Sequence, residues 1–116
     1  MPKALPTLDV SSPLCCPPIA AGAMGSDAAL EVALRLKALA DPVRVRLLSM
    51  LLASDEHGLC TCELAQAVAL TDATVSHHLG QLRKAGLVDG TRDGMNVYYR
   101  PVRDSLAALC HILDPA

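Results

Sequence analysis

The sequence predicts a mainly α-helical fold with one small β-hairpin. Three observations carry this reading. Apolar residues recur at helical spacing through most of residues 27–113. Helix-starting and helix-stopping residues punctuate that pattern. Asp93-Gly94 stands between two short β-prone runs, which marks a hairpin. The chain has 116 residues and is 52% hydrophobic, enough for one domain with a modest core. Trp and Phe are absent, so Leu, Val, Ile and Ala must fill that core.

Residues 1–26, rich in Pro, Ser, Gly and Ala, read as a flexible N-terminal arm. The folded domain is expected over residues 27–116. Leu30, Leu34 and Leu36 mark a first helix, with Ser26 or Asp27 as its cap. Asp41-Pro42 breaks and restarts the helix, because Asp is a good N-cap and Pro suits the first turn. Val43, Leu47, Met50 and Leu51 form the second apolar stripe, and residues 54–58 a polar loop. A short third helix is expected over residues 61–68. Thr71 caps a fourth, over 72–85, with Val75, Leu79 and Leu82 facing inward and Gly86 ending it. Residues 87–91 and 96–100 are the hairpin strands, closed by Pro101. Residues 103–113 form the last helix, with Leu106, Leu109 and Leu113 on one stripe. Two short helices joined tightly and followed by a hairpin make a winged helix-turn-helix. In that arrangement the second short helix enters a DNA major groove and the hairpin touches the neighbouring backbone.

Composition narrows the function further. Two Tyr without Trp or Phe cannot build a base-stacking platform for single strands. A mean hydropathy of +0.34 argues against global disorder. No apolar stretch is long enough to span a bilayer without charges interrupting it. Asp9 and several prolines break any signal-peptide core, so the chain reads as cytoplasmic and Cys15 as a poor lipid-anchor cysteine. Net charge is −2, but residues 71–103 hold Arg83, Lys84, Arg92, Arg100 and Arg103 against Asp72, Asp89 and Asp93. That local basic excess on an acidic chain can meet phosphate.

The cysteines are Cys15, Cys16, Cys60, Cys62 and Cys110. In a reducing compartment they are not a disulfide framework, and no CxxC is present. Four of them fall in two tight pairs. Cys60 stands where an N-cap residue would stand, with Glu63 at the N3 position of a capping box. A thiolate there feels the helix N-terminus, which lowers its pKa and readies it for metal. In a regular helix Cys60 and Cys62 would diverge by about two hundred degrees. They can share an ion only if Cys60 lies outside the helix.

Four strings now point to one family. Leu39-Ala40-Asp41-Pro42-Val43-Arg44 comes first, then Thr74-Val75-Ser76-His77-His78-Leu79. Leu82-Arg83-Lys84-Ala85-Gly86-Leu87-Val88 and Val97-Tyr98-Tyr99 follow. In this order and spacing they resemble the ArsR/SmtB family of metal-sensing winged-helix repressors, most closely its arsenic-responsive members. The resemblance spans residues 28–113. It implies a homodimer, held mainly by the first and last helices, that releases operator double-stranded DNA when an inducer binds. The sequence departs from the family pattern at Asp72, where a Gln is usual, which bears on the operator sequence. It departs again at Ala65, where one type of arsenic sensor carries a third cysteine.

On this reading Thr74, Ser76, His77 and Gln81 face DNA from the fourth helix. Ser76 and Gln81 are suited to base edges, and Arg83 and Lys84 to phosphates. Arg92 and Arg100 flank the hairpin tip. Adjacent His77 and His78 point about a hundred degrees apart and cannot chelate one ion together. The expected ligands are Cys15, Cys16, Cys60 and Cys62. In other members of the family the arm of one subunit brings thiols to the third helix of its partner. Three such thiolates suit trivalent arsenic or antimony, and four suit a tetrahedral divalent ion such as Cd, Pb or Zn. The last helix offers Asp104, His111 and Asp114 but lacks the Asp-x-His that opens a second, zinc-type site in relatives. Cys110 is expected to pack in the core. An enzyme using Cys60 or Cys62 as nucleophile is disfavoured, since only His57 is a nearby base and no pair has redox spacing. A thiol redox-sensing repressor, with Cys15 and Cys16 or Cys60 oxidised, is the other alternative.

Overall fold

The computed structural model describes residue 10 and residues 18–115 of the chain. Cys15, Cys16 and the rest of the expected arm before Pro18, Val10 excepted, lie outside the described residues. After a short 3-10 turn at Ile19–Ala21 come α1 (Ser26–Leu39) and α2 (Pro42–Ala53). Then follow β1 (Leu59–Cys60), α3 (Thr61–Val68), α4 (Asp72–Lys84), β2 (Val88–Asp93), β3 (Asn96–Pro101) and α5 (Arg103–Leu113). The order is that of a winged helix-turn-helix, mostly helical with a small antiparallel sheet.

Local chemistry sets the helix starts. The Asp41 carboxylate accepts from the N–H groups of Val43 at 2.8 Å and Arg44 at 3.2 Å, and Pro42 occupies the first helical position. Thr71 Oγ1 accepts from Thr74 N at 3.2 Å and opens α4. At α1 the cap is Gly25, without a side-chain hydrogen bond, so neither Ser26 nor Asp27 serves as the expected cap. The N–H groups of Gly86 and Leu87 reach back to the carbonyls of Arg83 and Leu82 and close α4 one residue earlier than expected. The equivalent stop after α3 falls on Ala69, a left-handed residue at φ 57° that carries a Cβ.

The core lies where α1, α2, α3, α4 and the wing meet. Leu47, Leu51, Leu64, Val75, Leu79, Leu82 and Leu87 are wholly buried there, the aliphatic filling that the absence of Trp and Phe requires. Val10 is also buried in this cluster, and its N–H donates to the Lys84 carbonyl at 2.8 Å. Three expected contacts shift. Leu36 is exposed, because α1 turns Val32, Leu34 and Ala38 inward. On α5, Ser105, Leu109 and Ile112 face inward, which leaves Leu113 and Cys110 exposed. Cys110 therefore does not pack in the core as expected, being about a hundred degrees round the helix from Leu109. Arg35 is buried on α1 and forms an ion pair with Glu31 at 3.0 Å.

The sheet holds one strand more than a hairpin. β2 and β3 pair antiparallel from Val88 opposite Pro101 to Asp93 opposite Asn96, leaving Gly94 and Met95 as the tip. β1 pairs with the other edge of β3, so the order is β1-β3-β2. Two residues are too few to show alternation in the sequence.

Candidate functional site

Helix α4 presents two faces. Val75, Leu79 and Leu82 are buried, while Thr74, Ser76, His77, Arg83 and Lys84 are exposed and Gln81 is half-buried. Thr74 Oγ1 accepts from Thr71 Oγ1 at 2.9 Å, which orients it at the entry of the helix. Arg83 and Lys84 in the last turn suit the negative end of the helix dipole as well as phosphate.

The neighbouring histidines differ in surroundings. His77 is exposed, whereas His78 is half-buried and accepts at Nδ1 from Arg44 Nε at 3.1 Å. Arg44 also donates to the Ala38 carbonyl at 3.4 Å. Desolvation pushes the nearby Asp41 carboxyl up. The amides of Arg44 and Val43 and the positive charge of Arg44 outweigh it and hold the group below the usual carboxylate range. Sequence reasoning missed this Asp41–Arg44–His78 cluster. Asp41 and Arg44 are neighbours at the start of α2, but His78 stands 34 residues from Arg44 in the chain, and only the packing of α2 on α4 brings it to them.

The wing arginines also diverge. Arg92 is exposed on β2. Arg100 is half-buried, donating through Nη2 to Thr91 Oγ1 at 2.8 Å and through Nη1 to the Glu56 carbonyl at 3.3 Å. Its guanidinium holds the wing to the loop before β1. Met95, at the tip, is 95% exposed.

The second pair of thiols stands at the entry of α3. Cys60 is the N-cap, in extended backbone at φ −79°, ψ 161°, and its Sγ accepts from Glu63 N at 3.3 Å. It therefore lies outside the helix, the condition for Cys60 and Cys62 to share a ligand. The two sulfurs meet: Cys60 and Cys62 are joined as a disulfide across a Cα–Cα distance of 5.4 Å. This corrects the reading that the cysteines form no disulfide framework and that no pair has redox spacing. The extended N-cap brings together sulfurs that a regular helix would hold apart. Cys60 is buried and Cys62 exposed, so one face of the pair is open. Ala65, where a third cysteine would stand in some relatives, is buried in the core cluster.

As a reduced dithiol this pair supplies two soft donors, one short of the pyramid that trivalent arsenic prefers. Among the described residues no group of three or more His, Cys, Asp or Glu is placed to hold a metal ion. Asp104, His111 and Asp114 on and after α5 form no such group, and His77 and His78 do not either. His57 lies against Tyr98, with ring centroids 4.5 Å apart. Among the described residues no helix is long and apolar enough to cross a membrane.

Comparison with known proteins agrees with this geometry. The family model described as bacterial regulatory protein, arsR family, matches residues 41–89. The chain is 45% identical over 76 residues to the transcriptional repressor SmtB homolog of Synechocystis, a match covering 66% of this chain and 55% of that protein. The chain spans about half the length of the first curated relatives it matches. It is 33% identical over 107 residues to ArsR2 of Halobacterium salinarum, covering 92% of this chain and 86% of that protein. Among solved structures, the AntR antimony-specific transcriptional repressor superposes with a TM-score of 0.64 at 35% identity, over 76% of this chain and 78% of that one. A homodimeric winged helix-turn-helix DNA-binding domain of Mycobacterium bovis superposes with a TM-score of 0.63 at 31% identity, over 78% and 83%. Fold, element order and these relatives together place the chain in the arsR family of bacterial regulatory proteins.

Proposed function

We propose that this protein is a cytoplasmic, homodimeric transcriptional repressor that responds to a thiophilic metalloid. The metal-free dimer binds operator double-stranded DNA through α4 and the wing. Arsenite or antimonite, captured by cysteine thiolates, lowers that affinity. The reading rests chiefly on the meeting of the Cys60 and Cys62 sulfurs at the entry of α3. That pair has an open face, and its N-cap sulfur receives an N–H from the helix. Cys15 and Cys16 supply the further thiolates, reaching the pair from the partner subunit. The antimony-specific and cadmium-resistance regulators among the similar proteins support an inducer of this class. Exposed Ile19, Leu36 and Leu113 near the two ends of the fold support burial between protomers.

The test is a titration of reduced protein with arsenite, cadmium and zinc, followed by thiolate–metal absorption in the ultraviolet and by operator binding. Arsenite should give a three-thiolate spectrum and release DNA. Cys15→Ser or Cys16→Ser should leave DNA binding intact and strongly weaken release. Mixing a Cys15/Cys16 double variant with a Cys60/Cys62 double variant should restore one working site per heterodimer. Release by cadmium or zinc alone would move the inducer to a divalent ion.

A redox-sensing repressor is the second reading, favoured by the Cys60–Cys62 disulfide. In that case a hydroperoxide takes two electrons and two protons from the dithiol, giving the disulfide, one water, and a second water or an alcohol. Reversible, metal-free loss of DNA binding with peroxide would select it.

A further inference from the structure

The strand that carries Cys60 is paired directly with the centre of the wing. Both residues of β1 pair with β3: Leu59 opposite Tyr99 and Cys60 opposite Tyr98. β3 is in turn the partner of β2, so it is the middle strand of the sheet. The loop before β1 is held to the same strand residue by residue. The Glu56 carbonyl accepts from Arg100 at 3.3 Å. The His57 ring is tilted by 52° against the Tyr98 ring at 4.5 Å. Gly58 sits at φ +79°, and a Cβ there would collide with the Tyr99 carbonyl. Residues 56–60 thus form a strap along β3 that ends on the N-cap thiol of α3.

Two residues where the strap meets β3 have no other evident task. Tyr99 packs against the core, but Tyr98, its neighbour on the opposite face, does not belong to the core cluster. His57 stands in an exposed loop, where an ordered ring contact needs a reason. Their position suggests one. A ligand that draws the Cys60 and Cys62 sulfurs into its own geometry must move the N-cap residue. Cys60 cannot move freely, because its backbone is in register with Tyr98. Strand pairs and packed rings resist shear and pass a displacement on.

We propose that His57 and Tyr98 are positioning residues that carry ligand occupancy at Cys60 and Cys62 to the wing. Binding at the thiols re-aims β2 and β3 relative to α4, so that the helix and the wing no longer reach one DNA site together. The inference rests on the proposed inducer site and names the route by which that site acts. The coupling is a difference in strap contacts between the two states, and is measurable as such.

The experiment compares wild type with His57→Ala, Tyr98→Leu and Tyr98→Phe. Each reduced full-length protein is titrated onto operator DNA by fluorescence anisotropy, with and without saturating arsenite. Arsenite binding is followed separately by thiolate absorption, and folding by thermal melts. His57→Ala and Tyr98→Leu should bind arsenite and metal-free DNA as wild type does. Their arsenite-induced loss of DNA affinity should shrink at least about tenfold, about 1.4 kcal/mol of coupling. Tyr98→Phe, which keeps the ring, should retain the loss. Hydrogen exchange on wild type should show arsenite changing the protection of amides at 59–60 and along β2 and β3. Full release in His57→Ala and Tyr98→Leu, or unchanged exchange in the wing, overturns the strap even where wild type responds normally. The exchange arm stands if a variant fails to fold. Wild type that binds no arsenite, or keeps its DNA when loaded, overturns the inducer site itself and the strap with it.

Discussion

Arg44 Nε donates to His78 Nδ1 at 3.1 Å and ties the first turn of α2 to the middle of α4. The bond crosses from a helix that is scaffold to one that reads DNA on the proposed function. It separates two adjacent histidines by role, leaving His77 to solvent and holding His78 inside. Removing the acceptor leaves a half-buried guanidinium short of one partner. His78→Ala should therefore cost about 1–2 kcal/mol of stability, read as a lower urea midpoint. It should also weaken metal-free DNA binding, because α4 loses one of its anchors. An unchanged urea midpoint would show that water replaces the ring without loss.

The Asp41 cap predicts a pH dependence. Its folded pKa is depressed, so the stabilisation it gives is fully present above the ordinary carboxylate value of about 3.9 and is lost as pH falls through the folded value. Asp41→Asn keeps a capping oxygen but removes the charge. Thermal melts should show wild type above this variant near neutrality. The gap should close as the pH is taken below the carboxylate range.

Ala69 should be improvable. It holds a left-handed conformation at the stop of α3, with Ala69 N and Leu70 N bonded back to the carbonyls of Gln66 and Ala65. A Cβ in that region carries a steric cost, which glycine avoids. Ala69→Gly should be neutral or stabilising by up to about 1 kcal/mol, in spite of glycine's greater unfolded-state freedom. Chemical denaturation measures it, and a clear loss would contradict the strain assigned to this turn.

The core prediction is a cavity. Leu79, on α4, is wholly buried against the helices that pack on it. Leu79→Ala should cost about 2–5 kcal/mol, depending on how far α2 and α3 collapse into the space. A loss of that size is a large share of the stability of a domain this small. Met95→Ala at the fully exposed wing tip should change stability little by comparison.

DNA binding on the proposed function should depend steeply on salt. Arg92 is exposed on the wing, whereas Arg100 is bonded to Thr91 and Glu56. Arg92→Ala should weaken all sequences alike and reduce the salt slope by about one for each phosphate left without its cation. Ser76→Ala or Gln81→Ala should relax sequence preference more than affinity. Arg100→Ala should lower stability as well as binding. Anisotropy titrations over a salt series and a panel of operator variants distinguish these outcomes.

The sequence by itself determined what local chemistry determines. Asp41-Pro42, Thr71 and Gly86 fixed where helices begin and end, because a cap acts within a few residues of itself. The Cys60 N-cap was legible for the same reason, and in the structure it stands in extended backbone with Glu63 N donating to its sulfur. The inward faces of α2 and α4 followed from the spacing of their leucines. Only the tertiary structure decided the rest, since it joins residues distant in the chain. A two-residue strand such as β1 has no periodicity of its own and exists because β3 offers it an edge. The bonds from Arg44 to His78 and from Arg100 to Glu56 needed the packed elements before their donors had acceptors in reach. The same holds for Cys110 and Leu113. The apolar stripe of Leu106, Leu109 and Leu113 was written in the sequence, but which side of α5 meets the core was settled only by how that helix docks.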